Sequence, residues 1–190
     1  MLEITDEDIA KKVQKGDGES FGFLIERYEA KMLRYARKFL FDTEDARDVV
    51  QEVFIKAYTN IRSLDTSRRF SPWIYRIAHN EFINALKKKG RDKSFPFDFD
   101  LLFPHPVARE TADRQATTNE LRAMLDRCLD KLPAKYREAL VLYYYEEMEY
   151  QEIAEILKIP VSTVGVRLNR GKNKLKQLIS QLDQGYESRR

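Results

Sequence analysis

The chain has 190 residues, of which 43% are hydrophobic and 12% aromatic, so it has enough apolar residues for packed cores. Its single cysteine excludes an internal disulfide, no run reaches the roughly 18 apolar residues of a membrane span, and the acidic N-terminus is unlike a secretion signal. We therefore expect a soluble cytoplasmic protein. The net charge of +3 hides a separation of charge, because residues 138–157 contain six acids and no base whereas residues 161–182 contain five bases and no acid. That separation favours a polyanion as the partner of one face.

Apolar residues recur at three- and four-residue steps along most of the chain, which predicts helices, and no segment predicts a strand. The first helical block ends at Gly16-Asp17-Gly18, and two longer blocks follow it. A fourth helix is predicted over residues 73–89, with Ser71 as its cap and Pro72 in its first position.

Helical periodicity fails after Gly90, where the chain is rich in phenylalanine, aspartate and proline, and it returns near residue 121. We therefore predict an all-α protein with two small helical domains, residues 1–90 and 119–190, joined by a largely irregular linker over residues 91–118. The linker has three alternative roles: a disordered connection, a segment that threads along a partner, and a segment that folds back on the domains.

The third helical block has a polar face opposite its apolar stripe. Four polar side chains lie on that face at helical spacing, namely Asp45, Asp48, Gln51 and Glu52. An ordinary solvated surface also explains the acidic residues, and composition alone favours that alternative.

Bases and aromatic side chains come together in the fourth helix and in the loop before it. Rings can stack on unpaired bases while cations follow phosphates, so this combination suits single-stranded or opened DNA. The predicted contact residues are Arg68, Arg69, Trp73, Tyr75, Arg76, Asn80 and Lys87. Trp73 also fits the alternative role of a core residue.

A helix-turn-helix pattern occupies residues 151–176, with its turn at Lys158-Ile159-Pro160. The apolar seam between its helices is predicted to consist of Ile153, Ala154, Leu157, Val164 and Leu168. With that seam inward, the second helix can enter a major groove, and its predicted DNA contacts are Ser162, Thr163, Gly165, Val166, Arg167, Asn169, Arg170, Lys172 and Lys174. The alternative is an amphipathic hairpin with a solvated basic face.

These motifs resemble the extracytoplasmic-function (ECF) sigma factors of bacterial RNA polymerase. Residues 45–58 (DARDVVQEVFIKAY) resemble the segment that grips the coiled coil of the polymerase's largest subunit, and residues 70–80 (FSPWIYRIAHN) resemble the segment that melts and reads the −10 element. Residues 132–137 (LPAKYR), followed by the helix-turn-helix, resemble the domain that reads the −35 element.

The resemblance implies that Asp48, Gln51 and Glu52 contact the polymerase and that Asn80 reads a base. It also implies core RNA polymerase and promoter DNA as partners, an anti-sigma factor as a further one, and no cofactor, metal, small-molecule substrate or membrane insertion. Gly165 and Val166 depart from the basic and small polar residues that the family commonly has there. Closer approach to DNA, a different base preference and simple tolerance are the alternatives for the glycine.

Three other classes of protein compete with this interpretation. An enzyme is disfavoured, because the two histidines lie in separate blocks and no nucleophile–base cluster, phosphate-binding loop or metal-ligand spacing is present in the sequence. A two-domain regulator would bind duplex DNA without polymerase. A helical adaptor with no DNA role would not need an isolated basic helix.

Overall fold

The computed structural model describes residues 4–37, 43–91 and 118–187, and all the elements in these ranges are helical. The α-helices are α1 (Asp6–Gln14), α2 (Phe21–Arg37), α3 (Thr43–Thr59), α4 (Phe70–Arg91), α5 (Thr118–Asp130), α6 (Ala134–Leu140), α7 (Tyr150–Leu157) and α8 (Val161–Glu187). A π-helical turn, Val141–Tyr145, extends α6. The all-α prediction is confirmed, whereas the predicted linker lies almost entirely outside the described residues.

The described residues fall into two compact units. The first contains α1 to α4 together with Gln151–Lys158, and the second contains α5, α6, the π-helical turn and α8. Gln151–Lys158 thus group with the first unit, whereas the sequence assigned them to the second domain.

Aromatic side chains form the centre of the first unit. Tyr35 of α2 lies with its ring centroid 5.2 Å from that of Tyr75 and 5.3 Å from that of Phe82, both on α4. All three side chains are completely buried, as are Leu24, Met32 and Ala36 of α2. These contacts fix the rotation of α4 about its axis and so decide which of its residues face solvent.

The start of α4 differs from the prediction. The helix begins at Phe70, so Ser71 lies in its first turn and does not cap it. The carboxylate of Glu7 on α1 accepts a hydrogen bond from the Phe70 backbone N–H at 2.8 Å. An acidic group at a helix N-terminus pairs with an otherwise unsatisfied donor and with the positive end of the helix dipole. A residue distant in sequence therefore replaces the local cap.

Close packing between α6 and α8 organises the second unit. A Cβ atom added at Gly171 of α8 would lie 3.1 Å from Leu140 Cδ1 and 3.3 Å from Tyr136 Cβ, so the glycine allows the helices to approach. Arg137 of α6 is buried, and its Nη1 donates to the carbonyl oxygen of Asp130, the last residue of α5, at 3.3 Å.

The turn between α7 and α8 has the local geometry expected of a helix-turn-helix. Lys158 adopts a φ of 53°, and the Pro160 carbonyl accepts from the backbone N–H groups of Thr163 (2.9 Å) and Val164 (3.2 Å). The five side chains predicted for the seam are all buried, namely Ile153, Ala154, Leu157, Val164 and Leu168.

Candidate functional site

The polar face of α3 is exposed as its spacing predicts. Ala46, Val50 and Val53 are buried on one side of the helix, and this leaves the opposite side to solvent. Asp48, Gln51 and Glu52 are exposed, and Asp45 is half-buried.

One lysine modifies this acidic face. Lys56 Nζ lies 2.6 Å from Glu81 Oε2 on α4 and 3.7 Å from Glu52 Oε1. The hydrogen bond from Lys56 to Glu81 raises the pKa of the ammonium group. Asp48 is exposed and forms no ion pair with any residue in the described ranges, so no neighbouring cation in those ranges offsets its charge.

The face predicted to meet opened DNA is only partly formed by the residues that the sequence suggested. Arg76 and Lys87 are exposed and Asn80 is half-buried, and the three lie on one side of α4 at helical steps. Tyr75 is 0% exposed and Trp73 is 8% exposed.

The prediction of Tyr75 as a base-stacking residue therefore requires correction. Its ring packs against Tyr35 in the centre of the first unit, where no base can reach it. Trp73 packs beside Phe70, with ring centroids 5.6 Å apart. Because so little of its side chain is exposed, Trp73 agrees with the alternative prediction that it is a core residue. Cations and an amide, rather than rings, dominate the exposed surface of α4.

The two arginines of the loop before α4 are exposed and paired with carboxylates of the first unit. Arg68 Nη2 lies 3.2 Å from Glu155 Oε1, and Arg69 Nη1 lies 3.0 Å from Glu152 Oε2. Exposed ion pairs of this kind contribute little net free energy, about 0–1 kcal/mol. Phosphates can therefore replace these carboxylates at small cost.

The basic helix α8 exposes most of the residues predicted to contact DNA. Ser162, Val166, Asn169, Arg170, Lys172 and Lys174 are exposed, whereas Thr163, Gly165 and Arg167 are half-buried. Its arginines and these two lysines make no ion pair with any residue that the structure describes. Two of the acids counted in residues 138–157, Glu138 and Glu146, are buried, so they are not part of an acidic surface.

The two glycines of α8 near this surface should respond oppositely to alanine. A Cβ at Gly165 would lie 3.6 Å from Tyr150 Cε2, an ordinary contact, so Gly165→Ala should raise the free energy of unfolding of the second unit by about 0.5–1 kcal/mol. Gly171→Ala should lower it by about 1 kcal/mol, because overpacking against α6 outweighs the gain in helix propensity. Urea denaturation of both variants measures this difference, and equal effects would contradict it. If Gly165→Ala also weakened binding to DNA, close approach of the helix to DNA would be favoured as the reason for the glycine.

Several residues that shape these surfaces gave no signal in the sequence. Glu7 and Gln14 form hydrogen bonds to backbone groups more than 40 residues away. Arg137 is buried, although an arginine is ordinarily expected at the surface. No local pattern marks such contacts, since they depend on how helices meet in three dimensions.

Within residues 4–37, 43–91 and 118–187, no group of three or more His, Cys, Asp or Glu side chains is placed to hold a metal ion. None of the helices in those ranges is both long and apolar enough to cross a bilayer.

Two family descriptions match the chain, one in its N-terminal half and one in its C-terminal half. Residues 24–92 match the family described as Sigma-70 region 2, and residues 122–175 match Sigma-70, region 4. The first match contains α3 and α4, and the second contains α6, α7 and the first part of α8.

Similar proteins and structures extend the resemblance over nearly the whole chain. The ECF RNA polymerase sigma factor SigW of Bacillus subtilis (strain 168) is 36% identical over 180 residues, which are 90% of this chain and 95% of that protein. The ECF RNA polymerase sigma-E factor of Escherichia coli (strain K12) is 33% identical over 188 residues, 93% of this chain and 97% of that protein.

Among solved structures, CnrH in complex with the cytosolic domain of CnrY has a TM-score of 0.65 and 27% identity, covering 93% of this chain and 97% of that chain. The sigma factor RpoE in complex with the anti-sigma factor NepR from Bartonella quintana has a TM-score of 0.69 at 24% identity, covering 85% and 98% of the two chains, and so shares the fold. The region 2 and region 4 matches and the identity to curated relatives lead to one conclusion: the chain belongs to the ECF sigma factors of bacterial RNA polymerase.

Proposed function

We propose that this ECF sigma factor docks on core RNA polymerase through the exposed face of α3. The observation that carries the proposal is the separation of exposed charge: α3 presents Asp48 and Glu52, whereas α8 presents cations. Gln51 lies between the two acids and supplies a neutral amide to the same contact, and Asp45 lies at its edge. A partner with basic side chains on a helical surface fits this face.

The helix α8 is proposed to enter the major groove of the −35 element. Its exposed side chains near the helix start include Arg170 and Asn169, which can form paired hydrogen bonds to guanine and adenine edges, respectively. Val166 is 47% exposed and offers methyl groups to a thymine methyl. Ser162, Thr163, Lys172 and Lys174 suit contacts to the phosphates on either side.

Replacing Arg170 should distinguish base reading from phosphate binding. Arg170→Ala should weaken binding to a cognate promoter by about 1–3 kcal/mol and relax the preference for one base of the −35 element. Lys174→Ala is the matched control, since a phosphate contact should weaken binding uniformly on every sequence and reduce the salt dependence. Titration of holoenzyme against promoters with each −35 base changed measures both effects. An equal loss on all sequences would make Arg170 a phosphate contact.

The exposed side of α4 is proposed to hold the opened −10 element. Asn80 can hydrogen-bond an extruded base, while Arg76 and Lys87 follow the phosphates of the separated strand. The loop arginines Arg68 and Arg69 add cations at the start of the helix. Tyr75 is buried and cannot stack on a base, so α4 is proposed to bind the opened −10 strand through hydrogen bonds and charge.

The proposal is tested by comparing DNA binding with and without core polymerase. We expect the free chain to bind promoter duplex poorly and the holoenzyme to select defined −10 and −35 sequences from a random DNA library. Tight, sequence-selective binding to duplex DNA by the free chain, with no affinity for core polymerase, would instead establish a stand-alone regulator.

Membership of the family supports the remaining parts of the proposal. Residues 1–90 form the domain that binds polymerase and the −10 element, residues 119–190 form the −35 domain, and residues 91–118 link them. The chain acts in the cytoplasm, where polymerase lies, and performs no catalysis of its own. CnrH, which is 27% identical, was solved with the cytosolic domain of CnrY, a protein partner. The family resemblance leads us to propose a protein partner for this chain as well, namely an anti-sigma factor.

A further inference from the structure

The loop between α3 and α4, residues 60–69, is held in place by side chains of α1. Gln14 Nε2 donates to two carbonyl oxygens of the loop, that of Ile61 at 2.8 Å and that of Leu64 at 2.9 Å. Glu7 Oε1 accepts from the Phe70 backbone N–H at 2.8 Å, where the loop ends and α4 begins. Two residues of one helix therefore hold both ends of the segment that carries Arg68 and Arg69.

The helix α1 has its own attachment to the first unit, independent of the loop. Ile9, Ala10 and Val13 are buried, and Asp6 accepts from Arg27 Nη1 and from the Tyr28 hydroxyl of α2, each at 2.6 Å. The position of α1 is thus fixed by its contacts with α2, so α1 can support the loop rigidly.

The position of Glu7 also affects where DNA can bind. A helix N-terminus with free N–H groups attracts phosphates. At α4 a carboxylate already accepts from the first of these groups, and its negative charge disfavours a phosphate there. Near the start of α4, the phosphates of a bound strand would therefore contact the side chains of Arg68, Arg69 and Arg76.

We propose that α1 is a positioning element for capture of the −10 strand, with Gln14 and Glu7 fixing the loop and the start of α4 before DNA arrives. The inference rests on the proposed function of α4. A flexible single strand loses conformational freedom on binding, and a surface that is already ordered adds no second ordering cost. Loosening the loop should therefore weaken capture of opened DNA without changing the side chains exposed on α3 and α8.

The test uses Gln14→Ala, Glu7→Ala and Glu7→Gln in the full chain, assembled with core polymerase. The probe is a single-stranded oligonucleotide with the −10 sequence that the wild-type holoenzyme selects. Asp8→Ala is the matched control, because Asp8 is exposed on the same helix and its side chain pairs with Lys11 (3.4 Å), not with the loop. The rate of hydrogen exchange at the Phe70 amide measures how often the hydrogen bond between this amide and Glu7 opens.

We expect Gln14→Ala and Glu7→Ala each to weaken binding of the oligonucleotide by about fivefold to tenfold, the size expected for losing one or two such hydrogen bonds. Exchange at Phe70 should accelerate in Glu7→Ala, and Glu7→Gln, which keeps an oxygen acceptor, should restore most of the binding. Core polymerase affinity and the Asp8→Ala control should stay within about twofold of wild type.

Other results would overturn the inference in distinguishable ways. If Phe70 exchanges faster but the oligonucleotide binds as tightly as to wild type, the loop is held for stability alone. A parallel loss of polymerase and oligonucleotide binding would also indicate a merely structural role. Failure of the wild-type holoenzyme itself to bind the strand would remove the proposed function of α4, and the inference with it.

Discussion

Reversing two charges on α3 together, as Asp48→Arg and Glu52→Arg, should weaken binding to core RNA polymerase by at least about a hundredfold. The reversal turns an attractive contact into repulsion against a basic partner surface. Both side chains are exposed, and the buried stripe of α3 is untouched, so the variant should fold like the wild type. Affinity measured with purified core polymerase, together with thermal denaturation of the free chain, checks both statements.

A matched control separates a local contact from a general effect of charge. Glu26 and Glu29 are exposed on α2 at positions i and i+3, and Glu26→Arg with Glu29→Arg makes the same change in net charge elsewhere on the first unit. We expect this control to bind polymerase nearly as the wild type does. Equal losses in the two double variants would show that net charge governs binding, and full binding by Asp48→Arg, Glu52→Arg would move the polymerase contact away from α3.

The second large effect is expected at Arg137, inside the second unit. Its side chain is only 4% exposed, and Nη1 lies 3.7 Å from Asp130 Oδ1 in addition to its hydrogen bond with the Asp130 carbonyl. Burial lowers the pKa of the guanidinium group, and the charges of Asp130 and Glu138 act against that shift. Arg137→Ala would leave a cavity and take a cation away from the C-terminal end of α5. We expect a loss of about 2–4 kcal/mol in the free energy of unfolding of this unit.

Urea denaturation with a neighbouring control measures this loss. Lys131 is an exposed cation close by in the sequence, and Lys131→Ala should change stability by less than about 0.5 kcal/mol. Arg137→Lys keeps the charge but not the planar fork of donors, so it should fall between the two. A loss no larger for Arg137→Ala than for Lys131→Ala would show that the buried arginine is not needed for folding.

Helical periodicity was sufficient to predict the all-α class and the exposed face of α3. The same spacing that places Val50 and Val53 inward places Asp48 and Glu52 outward, because both follow from 3.6 residues per turn. For α8, Val164 and Leu168 were predicted inward and Val166 outward, and their burial agrees. Helical spacing alone decides which of these side chains are buried and which are exposed, so their burial can be predicted from the sequence.

Contacts between helices distant in sequence were not predictable in this way. Tyr75 was predicted to contact DNA because aromatic side chains and bases come together near the start of α4, yet the packing of Tyr35 against α4 places Tyr75 in the core. The start of α4 was assigned to a Ser-Pro pair, whereas Glu7 supplies the cap. In both cases tertiary packing overrides a local preference, and one sequence contains no record of that packing.

Each of the two units contains a residue type that occurs once in the chain. Trp73, the single tryptophan, is in the first unit beside Phe70, and Cys128, the single cysteine, is completely buried in α5 of the second. Indole fluorescence should therefore follow opening of the first unit, and thiol labelling should follow opening of the second. The unmodified chain thus carries two independent spectroscopic and chemical probes, which can show whether its units unfold together or one after the other.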